Sequence, residues 1–433
     1  MNRRDLFKNT LLLLSLSTLS FSKEIKKDKK NKSSKNPKIV VVGGGWSGLS
    51  FAKNIKKDVP NAQVILVEKR EMFFSCPLSN TWLFDMVDME FLTHSFIDAS
   101  NSHNYTFLQA QAIGLDSKNN ILHTTSGDLE YDYLVFATGI EYDYYDWSGG
   151  DREFEERIHR EYPPAFIAGS EHLTLKHKIQ NYKGGNFIIT VPNGNYRCLP
   201  APYERACLIA DYIKQNKIKG KVIILDANNT VTIKEEGFLS VFRELYKDEL
   251  EYRPAFNITK IDLDRKVVID DFDEEIPFED ASFYPNVKAP KLLEDLGLTT
   301  KTPYNRVEAN LDVYTNQFKG YDNIFGIGDI RPMGFSKSGN TAYTEGENVA
   351  KVVAQIINGK KPKWTSPITF CVSVVSKVPQ REISLVSEYK YGSKGETEFK
   401  SSITDEDWKH NTLGKSKAQY HWAKSMYDSM FYD

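Results

Sequence analysis

The sequence predicts an α/β fold. Two Rossmann-like, dinucleotide-binding-type domains are followed by a C-terminal interface region. Three observations predict it. Lys38–Val42 (KIVVV) is a short β-branched run opening onto Gly43-Gly44-Gly45-Trp46-Ser47-Gly48. Phe187–Val191 (FIITV) is a second such run, and a further apolar run after it ends in Asp226. Two more strand-like segments end in Ala137-Thr138-Gly139 and Gly328-Asp329. Near-continuous apolar runs of this length suit parallel strands buried on both faces. A chain of 433 residues is also too long for a single compact core.

The first element reads as an address. Arg3-Arg4 precedes an apolar stretch, Leu11 to Phe21, too short to span a bilayer, and Ser20-Phe21-Ser22 supplies small residues for cleavage. Residues 1–22 are therefore expected to be a twin-arginine signal for periplasmic export. Such export carries folded proteins, which suits a cofactor inserted before export. The Lys-rich stretch 23–37 is expected to be a solvated linker. No later segment reaches the apolar length of a transmembrane helix.

The next element is expected to bind a dinucleotide, as the first part (38–160) of a split domain. Gly43 permits the tight turn, Gly45 lets backbone approach a pyrophosphate, and Gly48 lets helix and strand pack closely. A following apolar run ends in Glu68, 20 residues past Gly48, where an acid accepts from a ribose hydroxyl and argues against a 2′-phosphate. Tyr133–Gly139 and Asn323–Asp329 look like segments that recur in two-dinucleotide-domain flavoproteins, so FAD is expected. Thr138, Gly139, Gly328 and Asp329 join its expected contacts, and 305–358 forms the second part of the domain.

Residues 161–304 are expected to hold the second domain without its fingerprint. After FIITV comes Pro192-Asn193-Gly194-Asn195-Tyr196-Arg197-Cys198-Leu199-Pro200, with one glycine and bulky neighbours where a nicotinamide dinucleotide would need close backbone approach. Electrons should then reach the flavin from a donor other than NAD(P)H. An NADH dehydrogenase of this fold is disfavoured on the same ground.

Four stretches make a more specific resemblance. They are Phe73–Asn80 (FFSCPLSN), Tyr196–Ala206 (YRCLPAPYERA), Lys337-Ser338-Gly339, and Tyr420–Tyr427 (YHWAKSMY). Together they resemble the flavoprotein subunit of flavocytochrome c sulfide dehydrogenase, a branch of the sulfide:quinone oxidoreductase flavoproteins. The resemblance implies a periplasmic enzyme that oxidises sulfide, or a related sulfur compound, and passes electrons through FAD to a separate c-type cytochrome subunit. It implies FAD bound covalently through Cys76, a redox thiol at Cys198, and Lys337 near the flavin. Haem is expected only on the partner, since no Cys-x-x-Cys-His occurs here.

One departure matters. The resemblance implies a second redox cysteine beyond the ribityl acid, but the chain there reads Gly328-Asp329-Ile330-Arg331-Pro332-Met333. Three readings stay open. Cys198 works alone, with Arg331 as the nearby cation that lowers its pKa and attracts hydrosulfide. Cys371 or Cys207 substitutes. Or the chain is a non-catalytic flavoprotein subunit with altered or lost sulfide activity. The first is preferred here, with a surface loop arginine as the plainer alternative for Arg331. Glu204, six residues past Cys198, is the expected proton acceptor, against a role merely favouring a helix start.

The rest of the chain bounds the partners. Residues 39–433 hold 45 basic and 55 acidic residues, a balance that argues against nucleic acid and suits a basic protein partner. The histidines show no metal-ligand cluster, so no metal is expected. Residues 359–433 carry Trp364, Trp408 and Trp422, and the resemblance places this region over the flavin and beside the cytochrome. Charged residues breaking the tail disfavour a membrane-associated sulfide:quinone oxidoreductase.

Overall fold

A computed structural model describes residues 36–332, 334–393, 395–410 and 413–432. The expected signal segment 1–22 and most of the linker 23–37 lie outside them.

The first sheet begins where the apolar runs place it. Strand β1 (Lys38–Val42) leads through the glycine turn into helix α1 (Trp46–Asp58) and back to β2 (Gln63–Glu68). The edge strand β3 (Thr106–Gln109) and then β4 (Tyr133–Phe136) join them. Gly43 sits at φ +108°, a conformation that excludes ordinary side chains. A Cβ on Gly48 would stand 1.9 Å from the Gly43 carbonyl oxygen, so only glycine lets α1 pack this closely.

The second sheet follows in the chain. Strand β5 (Gly184–Val191) is followed by the loop 192–200 and helix α2 (Ala201–Gln215), with Pro202 in its first turn. Next come β6 (Lys219–Asp226), α3 (Glu235–Glu244), β7 (Leu250–Arg253) and β8 (Asp280–Ser282). These four strands are all parallel, in the order β7-β6-β5-β8. Almost every side chain of α2 is buried, because the helix is covered on one side by β6 and on the other by the third sheet.

The chain then returns to the first sheet with β9 (Ile324–Gly326), completing the parallel order β9-β4-β1-β2-β3. Helix α4 (Gly339–Ile357) packs along α1. A third, antiparallel sheet of β10 (Ile368–Ser376), β11 (Arg381–Tyr391) and β12 (Thr397–Asp405) precedes the last helix, α5 (Leu413–Phe431). Trp422 of α5 stacks on Trp46 at the glycine turn, with centroids 5.7 Å apart and planes 6° from parallel. Its indole N–H donates to Asn340 Oδ1 at 2.9 Å. Among the described residues no helix is long and apolar enough to cross a membrane.

Candidate active site

A cavity of about 800 Å³ opens at the C-terminal ends of the first sheet's strands, where parallel sheets place their ligands. Gly43, Gly45, Glu68, Cys76, Thr138, Gly139, Cys198, Glu204 and Asp329 all line it. Gly48 and Gly328 stand just behind, shaping the turn and the strand end. Residues from β10 and α5, among them Phe370, Cys371 and Trp422, close the far wall.

The lining suits a bound dinucleotide. A Cβ at Gly45 would meet no atom within 4 Å, so the turn leaves open space where a phosphate group approaches. Asp329 Oδ1, Thr138 Oγ1 and Trp46 Nε1 are buried at the wall without a hydrogen-bond partner. Buried polar atoms are rarely left so, and three on one cavity wall mark groups that await a ligand. Glu68 accepts from the Gly44 N–H at 2.8 Å and from Arg70 Nε at 3.0 Å. Burial opposes its charge, but the Arg70 guanidinium and the Gly44 N–H outweigh that and hold the carboxyl below its ordinary value.

The loop 192–200 turns away from nicotinamide binding. Asp226, which ends β6, is fully buried and accepts from the hydroxyls of Tyr203 at 2.6 Å and Tyr252 at 2.9 Å and from the Asn228 backbone N–H. Tyr196 fills the turn and bonds Thr232. The acid that would meet a ribose is thus sealed by aromatic rings. The loop instead reaches into the first cavity. Arg197 Nε donates to Asp329 Oδ2 at 2.7 Å, and Cys198 follows at φ +57°. The Cys198 N–H is held by the Lys337 carbonyl at 2.7 Å. A non-glycine residue in this region stores about 1–3 kcal/mol of strain, a feature that gathers at functional sites.

Cys198 does not stand alone. The Cys371 thiol on β10 faces it across the cavity wall, close enough for each thiol to shift the other's proton affinity. The neighbouring Cys371 thiol and burial push the Cys198 thiol well up. The complementary influence of Cys198, aided by Lys234 and Ser373, pulls Cys371 down against its burial. Glu204 lies beside them on α2. It accepts from the Val374 N–H at 2.7 Å and from Asn80 Nδ2 at 2.8 Å. Burial raises its carboxyl to about 7, the poise of a proton acceptor near neutral pH. Asn80 is fixed in turn by Arg205, wholly buried over the Phe166 ring.

Two expectations are corrected. Arg331 is neither a surface loop residue nor the cation beside Cys198. It is fully buried away from the cavity, with Nη1 on Glu345 at 2.8 Å and Nη2 on the Ser336 carbonyl at 2.9 Å. Its charge is matched by Glu345. Lys337 likewise turns its ammonium from the cavity, onto Glu308 at 2.9 Å and the Asp329 and Arg331 carbonyls. Its contribution is the backbone carbonyl that holds Cys198. Cys207, on α2 itself, is buried in the core and is not part of the cavity lining. Lys234 completes the site without any motif to announce it, whereas Asn80 and Arg197 lie inside the FFSCPLSN and YRCLPAPYERA stretches, where sequence alone gives them no role.

Cys76 lines the cavity with its sulfur 3.6 Å from the Phe166 carbonyl, and burial raises its thiol to about 11. His94 and His172 pack against aromatic rings.

Comparison with known proteins agrees with this architecture. The family model "Sulfide dehydrogenase [flavocytochrome c] flavoprotein chain, central" matches residues 173–281, and "Pyridine nucleotide-disulphide oxidoreductase" matches 37–161. The mitochondrial sulfide:quinone oxidoreductase of Mus musculus is 23% identical over 75% of this chain and 72% of its own. The sulfide-quinone reductase of Aquifex aeolicus is 22% identical over 77% of this chain and 80% of its own. The X-ray structure of the sulfide:quinone oxidoreductase from Aquifex aeolicus superimposes with a TM-score of 0.72 at 18% identity, covering 91% of each chain. The FAD-binding α/β fold of the flavoprotein oxidoreductases is therefore shared, and the matches support a flavoprotein of the sulfide:quinone and flavocytochrome c type.

Proposed function

We propose that this protein is an FAD-dependent sulfide dehydrogenase that works through a Cys198–Cys371 redox pair and passes electrons to a c-type cytochrome subunit. The observation that carries the reading is the pair itself: two thiols from distant parts of the chain, brought together on the wall of the dinucleotide cavity and each felt by the other. Cys371 on β10 supplies the second sulfur missing after Asp329. The reading with Cys198 alone is set aside, because Arg331 spends its charge on Glu345.

The glycine turn, Glu68, Thr138, Gly139 and Asp329 would hold FAD, which would supply a two-electron acceptor for the pair. In the oxidised pair, hydrosulfide attacks one sulfur of the disulfide. The Cys–Cys bond breaks, a persulfide forms on the attacked cysteine, and the other leaves as thiolate with the electron pair. Glu204 takes up the sulfur-bound proton. A second hydrosulfide takes the outer sulfur from the persulfide as polysulfide, and the two thiolates left behind give up one electron pair as the Cys–Cys bond closes, so one sulfide has lost two electrons in reaching the zero-valent state. Cys76 is placed to fix the cofactor covalently, and the resemblance supports that link.

The cytochrome acceptor rests on the match of 173–281 to a flavocytochrome c flavoprotein chain and on the acidic body. Haem then belongs to that partner, and export by the twin-arginine route places the pair in the periplasm. A second reading, a quinone acceptor, is favoured by the names of the curated relatives.

The test is an anaerobic sulfide titration of the purified holoprotein, following the flavin's visible band, beside Cys198→Ser. Bleaching in the native protein and none in the variant is expected. An intact flavin that dithionite reduces but sulfide does not would overturn the proposal. Offering the reduced protein a basic c-type cytochrome or a short-chain quinone then decides the acceptor.

A further inference from the structure

Lys234 is the left-handed N-cap residue of α3, at φ +54°, and only 4% exposed. Its ammonium lies 2.7 Å from Ser373 Oγ, 3.4 Å from the Ile383 carbonyl and 3.8 Å from Cys371 Sγ. No ion pair to Lys234 occurs among the described residues. Glu204 is near enough to feel its charge, but both Glu204 oxygens are directed to Val374 and Asn80. A buried ammonium costs several kcal/mol unless an anion accompanies it. The group in contact that is able to become that anion is the Cys371 thiol.

Building on the proposed sulfide chemistry, we propose that Lys234 is a positioning residue that fixes which way the Cys198–Cys371 disulfide opens. Cys371 leaves as the thiolate beside the ammonium, and Cys198 receives the incoming sulfur. The better leaving thiolate departs faster in such an exchange. The bond broken is Cys198 Sγ–Cys371 Sγ, the bond made joins the sulfide sulfur to Cys198 Sγ, and the electron pair stays on Cys371. The arrangement also explains a left-handed, non-glycine residue at this helix start. It delivers a long cationic side chain inward to β10 instead of outward to solvent. The titratable groups facing the Cys371 thiol are Cys198 from the loop, Glu204 from α2 and Lys234 from the start of α3. Ser373 on β10 adds a hydroxyl.

Two readouts on the holoprotein test this. In the first, the thiol-reduced protein is labelled with iodoacetamide across pH 6–9, and each cysteine is quantified by peptide mass spectrometry. Cys371 is expected to label about tenfold faster than Cys198 at pH 7. Lys234→Met should slow Cys371 labelling about tenfold by moving its pH profile upward, as loss of a neighbouring opposite charge does. Lys234→Arg should restore it. A merely structural lysine would leave the profile in place. Faster labelling of Cys198, an unmoved profile in Lys234→Met, or no labelling of Cys371 below pH 8 would overturn the inference. In the second, the oxidised holoprotein is treated with sulfide and then alkylated. An adduct bearing one extra sulfur is expected on the Cys198 peptide. The adduct on Cys371 would overturn the direction of opening alone. No adduct on either, with the labelling selectivity intact, would overturn the sulfide reading instead.

Discussion

Glu204→Gln removes a charge while keeping nearly the shape of the protonated acid, with two N–H donors in place of one O–H. Val374 N–H and Asn80 Nδ2 both donate here, and the amide, like the neutral carboxyl, keeps one full carbonyl acceptor for them, so below pH 4.5 the two proteins should be close in stability. The native carboxyl has its pKa raised in the fold from 4.5 to about 7 by burial. A raised carboxyl pKa means stability that is fully present below the unfolded value and lost as pH rises through the folded one. At 1.36 kcal/mol per pH unit, that rise amounts to about 3 kcal/mol, which the native protein loses between pH 4.5 and 7 and the variant keeps. Urea unfolding at pH 5 and 8 reads the difference. Catalysis should move the other way. Removing a general base lowers the rate of sulfide bleaching about 10²–10⁴-fold at pH 8, or about 3–5 kcal/mol of barrier. At pH 5 only about one native molecule in a hundred carries the ionised carboxylate, so the gap between the proteins should narrow about a hundredfold. Ionisation of hydrogen sulfide affects both proteins alike and cancels in the ratio. Anaerobic stopped-flow following the flavin band gives that ratio. A ratio that stays flat with pH, or a loss below tenfold at pH 8, would refute Glu204 as the proton acceptor.

Cys371→Ser should abolish bleaching by sulfide while dithionite still reduces the flavin; retained sulfide bleaching would return the chemistry to Cys198 alone. Gly45→Ala and Gly48→Ala should separate binding from folding. The first puts a methyl into open cavity space and should weaken flavin retention at an unchanged melting temperature, whereas the second drives a Cβ into the Gly43 carbonyl and should lower that temperature. Arg331→Met leaves Glu345 charged and buried with only the Gly328 and Asn316 donors, and should cost about 3–5 kcal/mol in urea unfolding. Adding Glu345→Gln should recover most of that loss, and failure to do so would mean that the pair is not what Arg331 contributes.

Much of the fold was legible because its signals are local. The run Lys38–Val42 became β1 residue for residue, and Glu68 closes β2 beside the glycine turn. Asp226 likewise ends β6, and the bulky residues around Tyr196 fill the turn after β5 as their sizes suggest. The proposed Cys198–Cys371 pair was legible only in part. Cys198 sat in a recognisable loop, but Cys371 comes from a sheet whose placement against α2 depends on tertiary packing. Arg331 shows the same limit. An arginine after a turn reads as solvated until the fold brings Glu345 onto it from the following helix. Lys234 had no signal at all, since a lysine before two glutamates resembles any exposed helix start.

The stack of Trp422 on Trp46 also bears on timing. The glycine turn emerges from the ribosome 376 residues before the indole that covers it. At about 5–20 residues per second, the cavity stays open on that side for roughly 20–75 s of synthesis. The part of the wall that Trp422 supplies is thus among the last pieces of the cavity to be made.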